Sequence, residues 1–246
     1  MAEIRLKIRR QDGPEDLPYW EEFMVPVYPK MNVVAALKKI QENPQNSQGI
    51  ETNPVVWDCS CLEEACGSCT MLINGKVKQA CSTLIENLEQ PIVLQPMSKF
   101  YVIRDLSVDR LKLFDALKKI SAWVVIDGIF DLGPGEKVFK EQQRKMYSYS
   151  RCIFCGACCE ACPQYNERSP FMGSFIFGQI FLLNMHPLGK ISDHVRLEAL
   201  MGLGGIADCN NAGNCEKVCP KGIPLTEAIA SLGWKTTLYT ISKFFR

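Results

Sequence analysis

The residues in this sequence that could do chemistry are its cysteines, thirteen of them in 246 residues. They fall into one cluster at Cys59, Cys61, Cys66, Cys69 and Cys81, and two later runs at 152–162 and 209–219. In the first cluster, Cys61-x4-Cys66-x2-Cys69 is the plant-type spacing for a [2Fe–2S] centre, which takes a fourth Cys further on. Two irons at tetrahedral sulfur sites need four thiolates, and a loop that wraps the cluster supplies them. Small residues separate the ligands in Cys66-Gly67-Ser68-Cys69, so backbone N–H groups can approach the sulfides, and Gly67 admits dihedrals that other residues avoid. Cys81 follows the turn pair Asn74-Gly75, whose return strand would bring it back to the same site. Cys59 stands outside the spacing and reads as a small buried thiol, with competition as a ligand as its alternative.

The later cysteines contain an internal repeat. Cys152-x2-Cys155-x2-Cys158-x3-Cys162-Pro163 is the bacterial ferredoxin run. A shift of 57 residues finds Cys209-x2-Ala212-x2-Cys215-x3-Cys219-Pro220, the same run with Ala at its second ligand position. In two-cluster ferredoxins the fourth Cys of each run ligates the other run's cluster. Cys152, Cys155, Cys158 and Cys219 therefore complete a four-thiolate [4Fe–4S] site. Cys162, Cys209 and Cys215 make a three-thiolate site, and three thiolates hold three irons, hence [3Fe–4S]. Cys159 is left over as packing.

Other uses of cysteine fit less well. Structural zinc takes two Cys or Cys/His pairs, whereas these runs follow iron–sulfur spacings, and the chain has only two histidines. The N-terminus alternates charged and apolar residues from Glu3 to Arg10 and has no continuous apolar segment of the kind a signal peptide needs. The expected location is inside the cell, where thiols stay reduced and disulfides are rare. With 28 basic and 27 acidic residues the net charge is +1. That balance provides no global attraction for nucleic acid.

The elements that must position these ligands divide the chain in two. Residues 1–105 read as a β-rich domain of β-grasp type that carries the [2Fe–2S] site. Ile4, Leu6 and Ile8 alternate with charge, as do Phe23, Val25 and Val27 with their neighbours, and Ile92-Val93-Leu94 is a further short strand. Thr70–Ile73 and Lys76–Lys78 flank Asn74-Gly75 as a hairpin. One helix starts after Asn32 as N-cap, turns Val33, Ala36, Leu37 and Ile40 to one face and stops at Asn43-Pro44. Residues 106–246 read as an all-α, bacterial-ferredoxin-like domain for the other two clusters, so the fold class is α+β. Ser107 is expected to cap a helix with Leu111, Phe114 and Leu117 on one face. Further helices are expected at 136–148, 171–184, 193–202 and 224–243, each packing through one apolar stripe, with loops at Asp127-Gly128 and Leu132–Gly135.

A plant-type motif followed by this repeat resembles the iron–sulfur subunit of succinate dehydrogenase and fumarate reductase. The resemblance runs through Cys61-Leu62-Glu63-Glu64-Ala65-Cys66-Gly67-Ser68-Cys69, Ala80-Cys81, Ile103-Arg104-Asp105-Leu106, Cys152–Cys158, Cys162-Pro163-Gln164 and Cys219-Pro220-Lys221-Gly222, nearly the whole chain. It implies a flavoprotein partner with FAD that interconverts succinate and fumarate. It also implies a membrane-anchor partner that binds quinone, often with haem b, and no substrate chemistry in this chain. Electrons would pass from flavin through [2Fe–2S], [4Fe–4S] and [3Fe–4S] to quinone or haem. Cys61-Leu62-Glu63-Glu64 is similar to members paired with a dihaem cytochrome b anchor. Pro163 and Asn210 match the positions that meet quinone in many relatives. Asn210 departs from the histidine of some quinone-reducing relatives and cannot gain a proton near neutral pH, which favours hand-over to haem. The rival from the same chemistry is an iron–sulfur adaptor subunit of another reductase complex.

Ser169–Gly189 carries no charged residue, yet its apolar part falls short of the roughly 20 residues a spanning helix needs. It reads as a buried helix. The aromatic and basic tail from Trp234 to Arg246 suits a membrane–water boundary. The expectation is a peripheral protein on the cytoplasmic side of the cell's inner membrane, held there by the anchor subunit. His186 and His194 are expected to be ordinary core or surface residues.

Overall fold

The computed structural model describes residues 3–124 and 136–245. In chain order its elements begin β1 Glu3–Arg10, β2 Tyr19–Pro26, α1 Val33–Glu42, β3 Thr70–Ile73, β4 Lys76–Gln79, β5 Ile92–Gln95, β6 Tyr101–Arg104 and β7 Ser107–Asp109. Helices come next at α2 Leu111–Lys119, α3 Lys140–Ser150, α4 Ala157–Glu160, α5 Phe175–Met185, α6 Pro187–Lys190, α7 Asp193–Met201, α8 Asn214–Lys217 and α9 Leu225–Phe244. The chain is thus mixed α+β, with an N-terminal sheet and a later helical region. It forms two compact units, Met1–Arg110 with Ile153–Glu160, and Leu111–Cys152 with Ala161–Arg246.

In the first unit, five strands are ordered β2-β1-β5-β3-β4. Period-2 alternation sets the register, because one face of each strand must be buried. Leu6 lies opposite Phe23 and Ile4 opposite Val25, while β1 and β5 run parallel with Ile8 beside Leu94. Helix α1 adds Val33, Ala36, Leu37 and Ile40 to the same core, and Asn32 caps it by accepting the Ala35 N–H at 2.8 Å. The β3–β4 turn places Asn74 and Gly75 both at positive φ, as a two-residue hairpin turn requires. The Asn74 Oδ1 then accepts the Val93 N–H at 2.7 Å, tying the hairpin to β5.

Three differences from the sequence-based expectation fall in the chain beyond β5. Ser107 does not cap a helix; it opens β7, which pairs with β6 in a separate two-stranded sheet. Its hydroxyl donates to Asp58 at 2.8 Å instead. In α2 the buried residues are Leu113 and Ala116, whereas Leu111 and Phe114 are exposed. Two apolar stripes are available on that helix, and tertiary contact selected the less bulky one. The segment Ile153–Glu160, read from sequence as part of the helical region, packs in the first unit. There Glu160 accepts the Ser98 hydroxyl at 2.6 Å and the Lys99 N–H at 3.1 Å.

The second unit is built around α5, which packs against α3, α7 and α9. It does not bury one stripe: Phe175, Ile176, Phe177, Gly178, Ile180 and Phe181 are all buried. A helix apolar on all sides belongs inside. It starts at Phe175 and not 171, because Gly173 sits at φ 105°, outside helical space. Among the described residues no helix is long and apolar enough to cross a membrane. Arg196 is fully buried beside α5, and its Nε donates to Asn184 Oδ1 at 2.6 Å. The expected loops at Asp127-Gly128 and Leu132–Gly135 lie outside the described residues.

Candidate functional site

The first cysteine cluster occupies the loop before β3 and the turn after β4, all within the first unit. The loop folds around Cys61, whose Sγ accepts three backbone N–H groups: Ala65 at 3.2 Å, Cys66 at 3.3 Å and Glu63 at 3.4 Å. To aim three amides at one sulfur the chain takes positive φ at Leu62 (60°) and Glu64 (54°), uncommon for residues with a Cβ. Gly67 comes next at φ 75°, and a Cβ there would stand 2.8 Å from the Cβ of Cys155. Glycine is thus required twice over, by its backbone conformation and by the close approach.

The hairpin brings Cys69 and Cys81 to the same end of the sheet, where the Ala80 N–H donates to the Cys69 carbonyl at 3.1 Å. Asn32 does double duty here: besides capping α1, its Nδ2 donates to the Cys81 carbonyl at 2.8 Å. Behind the loop lies a buried polar chain. The Gln79 amide donates to Thr70 Oγ1 at 2.8 Å, and the Thr70 hydroxyl donates to the Gly67 carbonyl at 2.6 Å. Burial raises the Cys69 thiol to about 12, with Cys81 beside it, whereas at Cys66 burial is outweighed by hydrogen bonds from Ser68 and Cys61 and the thiol falls to about 6. Cys59 is half-buried against the core, and burial raises its thiol. Arg110 donates through Nη2 to the Ser68 carbonyl at 2.8 Å. Burial lowers its pKa, opposed by Asp58 and by the thiols of Cys155, Cys69 and Cys66.

A second site lies wholly in the second unit. Cys162, Cys209 and Cys215 line one cavity of about 200 Å³ together with Pro163, Asn210, Ala212 and Ser174. The three thiols that the repeat singles out are thus brought together, with Ala212 on the same wall. Asn211 (φ 57°) and Gly213 (φ 72°) curl the chain between Cys209 and Cys215 around the cavity. Burial raises the Cys209 thiol, partly offset by the Asn211 N–H. The Ser174 Oγ is buried and has no hydrogen-bond partner among the described residues.

Cys152 and Cys219 belong to the second unit, Cys155 and Cys158 to the first. Cys219 Sγ accepts the Ile223 N–H at 3.5 Å, and Cys159 is fully buried. Among the described residues no three His, Cys, Asp or Glu side chains converge on the point a single ion would occupy. His186 accepts the Gly189 N–H through Nδ1 at 3.4 Å and caps α6, and His194 is exposed. Sequence reasoning missed Thr70, Gln79, Arg110 and Ser174 as neighbours of the cysteines. Only a lone hydroxyl in the apolar run 171–185 hinted at Ser174.

Residues 5–115 match the family of 2Fe-2S iron-sulfur cluster binding domains, and residues 148–223 match the family of 4Fe-4S dicluster domains. The chain is 51% identical over 242 residues to the succinate dehydrogenase iron-sulfur subunit of Bacillus subtilis, covering 98% of this chain and 96% of that one. It is 28% identical over 218 residues to the fumarate reductase iron-sulfur subunit of Wolinella succinogenes, covering 87% and 88% of the two chains. A chain of the Mycobacterium smegmatis Sdh1 complex in the apo form shares its fold, with a TM-score of 0.81 over 96% of this chain and 95% of that one at 23% identity. Cysteine loops, fold and near-complete coverage converge: this chain belongs to the family of succinate dehydrogenase and fumarate reductase iron–sulfur subunits, the electron-relaying subunits of succinate:quinone oxidoreductases.

Proposed function

We propose that this chain holds three iron–sulfur clusters in series and relays electrons between the FAD of a flavoprotein subunit and quinone, or a haem b, in a membrane-anchor subunit. The ligand sets are Cys61, Cys66, Cys69 and Cys81 for [2Fe–2S], Cys152, Cys155, Cys158 and Cys219 for [4Fe–4S], and Cys162, Cys209 and Cys215 for [3Fe–4S]. The observation that carries this reading is the cavity where Cys162, Cys209 and Cys215 meet with Ala212 in place of a fourth thiol. Three backbone N–H groups on Cys61 Sγ support the first set, since such donors stabilise a metal-bound thiolate. The second set rests on the crossed ligand pattern of the repeat.

When bound, the clusters supply one-electron carriers; the chain's own residues supply thiolates, amide donors and exclusion of water. Residues 1–105 form a plant-type ferredoxin domain of β-grasp kind, which the mixed sheet order and parallel β1–β5 pair support. Residues 106–246 carry the bacterial-ferredoxin-like cysteine runs, although residues 106–110 and Ile153–Glu160 of that stretch pack in the first unit. The chain is peripheral, on the cytoplasmic side of the membrane, held by an anchor of dihaem cytochrome b type. Asn210 on the cavity lining favours hand-over to haem there, because its amide cannot take up a proton.

The test is anaerobic purification of the intact complex, with iron and acid-labile sulfide analysis and paramagnetic resonance of its oxidised and reduced forms. One two-iron, one three-iron and one four-iron cluster per chain is the expected result, with the three-iron signal in the oxidised protein. Stoichiometric zinc without iron, or absence of a three-iron signal, would overturn the ligand assignment. Co-purification with a soluble reductase in place of a flavoprotein and a cytochrome b would overturn the partner assignment.

A further inference from the structure

Among the described residues the buried hydroxyl of Ser174 has no hydrogen-bond partner. Serine at the start of a helix ordinarily caps it by accepting an N–H one turn in. Ser174 stands at the N-cap of α5 but in helical conformation, φ −73° and ψ −18°, and its side chain makes no capping bond. Its backbone carbonyl does accept, from the Phe177 N–H at 3.2 Å. The residue is 1% exposed, and its Oγ has no partner among the described residues. A buried hydroxyl without a partner is costly and calls for an explanation.

The cavity it lines supplies one. The same walls carry Cys162, Cys209 and Cys215, along with apolar Phe171 and Ile229. The other hydroxyl on the lining, that of Thr226, is committed to Glu216. Ser174 therefore brings an uncommitted donor to the cavity. Sulfides and thiolates of a cluster carry the negative charge that such a donor meets, and hydrogen bonds to them raise the reduction potential by favouring the more negative reduced form.

We infer that the Ser174 hydroxyl donates a hydrogen bond to the sulfur cage held by Cys162, Cys209 and Cys215 and so sets the potential of that cluster. This rests on the three-iron reading of the site. The step is a one-electron reduction of this cluster by the preceding cluster of the proposed relay and its reoxidation by quinone or haem b, with the hydroxyl proton staying on Ser174 throughout.

The experiment is a redox titration of the three-iron paramagnetic signal in the intact complex, comparing wild type with Ser174→Ala and with the isosteric pair Ser174→Thr and Ser174→Val. The Ala and Val variants are expected to titrate at more negative potential, and Thr near wild type. At the wild-type midpoint the ratio of reduced to oxidised cluster should fall on the order of threefold to tenfold in Ala and Val, the scale of one hydrogen bond. If Ala does not assemble a cluster, the Thr–Val pair decides, because the two differ in the hydroxyl and hardly in shape. Equal potentials in Thr and Val, or an unshifted Ala variant with its signal intact, would overturn the inference. A wild-type complex without the three-iron signal would instead defeat the reading on which it rests, before any variant is compared.

Discussion

Ala212 is the residue whose chemistry is defined by what it lacks. It lines the cavity with Cys162, Cys209 and Cys215, and the repeat places a thiolate at its position. Ala212→Cys is expected to admit a fourth iron, abolish the oxidised three-iron signal and lower the potential of that cluster, since cluster type and charge control potential. Iron analysis and a redox titration of the complex check this. An unchanged iron count in an assembled variant would argue against the pairing. Cys61 and Cys59 make the opposite contrast. Cys61 gathers three amide donors, while Cys59 packs against the core. Cys61→Ala should selectively damage the two-iron centre, whereas Cys59→Ala and Cys159→Ala should keep all three clusters with a modest loss of stability. The spectrum of each variant separates the cases, and the reverse outcome at positions 59 and 61 would show that the register is wrong.

At the scale of elements, the end of β1 is held to the turn that carries Asp105. Arg10 Nε donates to Asp105 Oδ1 at 2.8 Å, with both side chains fully buried. Asp105 also accepts the Gln11 N–H at 3.0 Å and the Val56 N–H at 2.8 Å, and Arg10 pairs with Glu21. Burial acts to lower the Arg10 pKa and is outweighed by Asp105, so it rises. Removing one partner strands the other in the core, so Asp105→Ala should cost about 3–5 kcal/mol. Thermal unfolding should show a clear drop in midpoint with Asp105→Ala and a smaller one with Glu21→Gln. A second tie joins α7 to α9, where Glu198 accepts the Tyr239 hydroxyl at 2.8 Å and pairs with Lys243. The Lys243 hydrogen bond, then that of Tyr239, lowers the Glu198 pKa. A depressed folded pKa means that the contribution is present above the unfolded value and is lost as pH falls through the folded one. Glu198→Gln should therefore leave stability below that range nearly unchanged and lower it slightly near neutrality, as thermal midpoints measured across acid pH would show. The pair is exposed, so the effect is small.

For the whole molecule, the question is where electrons leave. The C-terminal half of α9 exposes Trp234, Leu238, Ile241 and Phe244 at near-helical spacing along one face. Exposed apolar residues in such a row suit a partner surface or a membrane boundary. Trp234→Ala combined with Leu238→Ala is expected to weaken retention of this chain on its membrane anchor while leaving the cluster signals intact, read by the fraction of the chain that sediments with membrane. Asn210→Ala tests the exit itself. With hand-over to haem, quinone-linked activity and inhibitor affinity should be almost unchanged. Loss of quinone affinity with an intact three-iron signal would place quinone at Asn210 and overturn the haem reading.

The sequence by itself determined what depends on local spacing. Strand alternation around Leu6 and Phe23, the Asn32 cap, the Asn74-Gly75 turn and the cysteine runs are all set by neighbours a few residues away, and each is legible without a fold. That Cys162, Cys209 and Cys215 line one cavity accords with the repeat, because a repeat relates distant residues through local spacing. What only the tertiary structure decided is what competing partners decide. Ser107 had to choose between a cap and a strand, and pairing of β7 with β6 made it a strand. Helix α2 offered two apolar stripes, and the core took Leu113 and Ala116. The Thr70–Gln79 chain behind the two-iron loop left no trace in spacing, and the stranded side chain of Ser174 left only a lone hydroxyl in an apolar run. Hydrogen-bond satisfaction in a core depends on which groups burial brings together, and residue type alone does not report it.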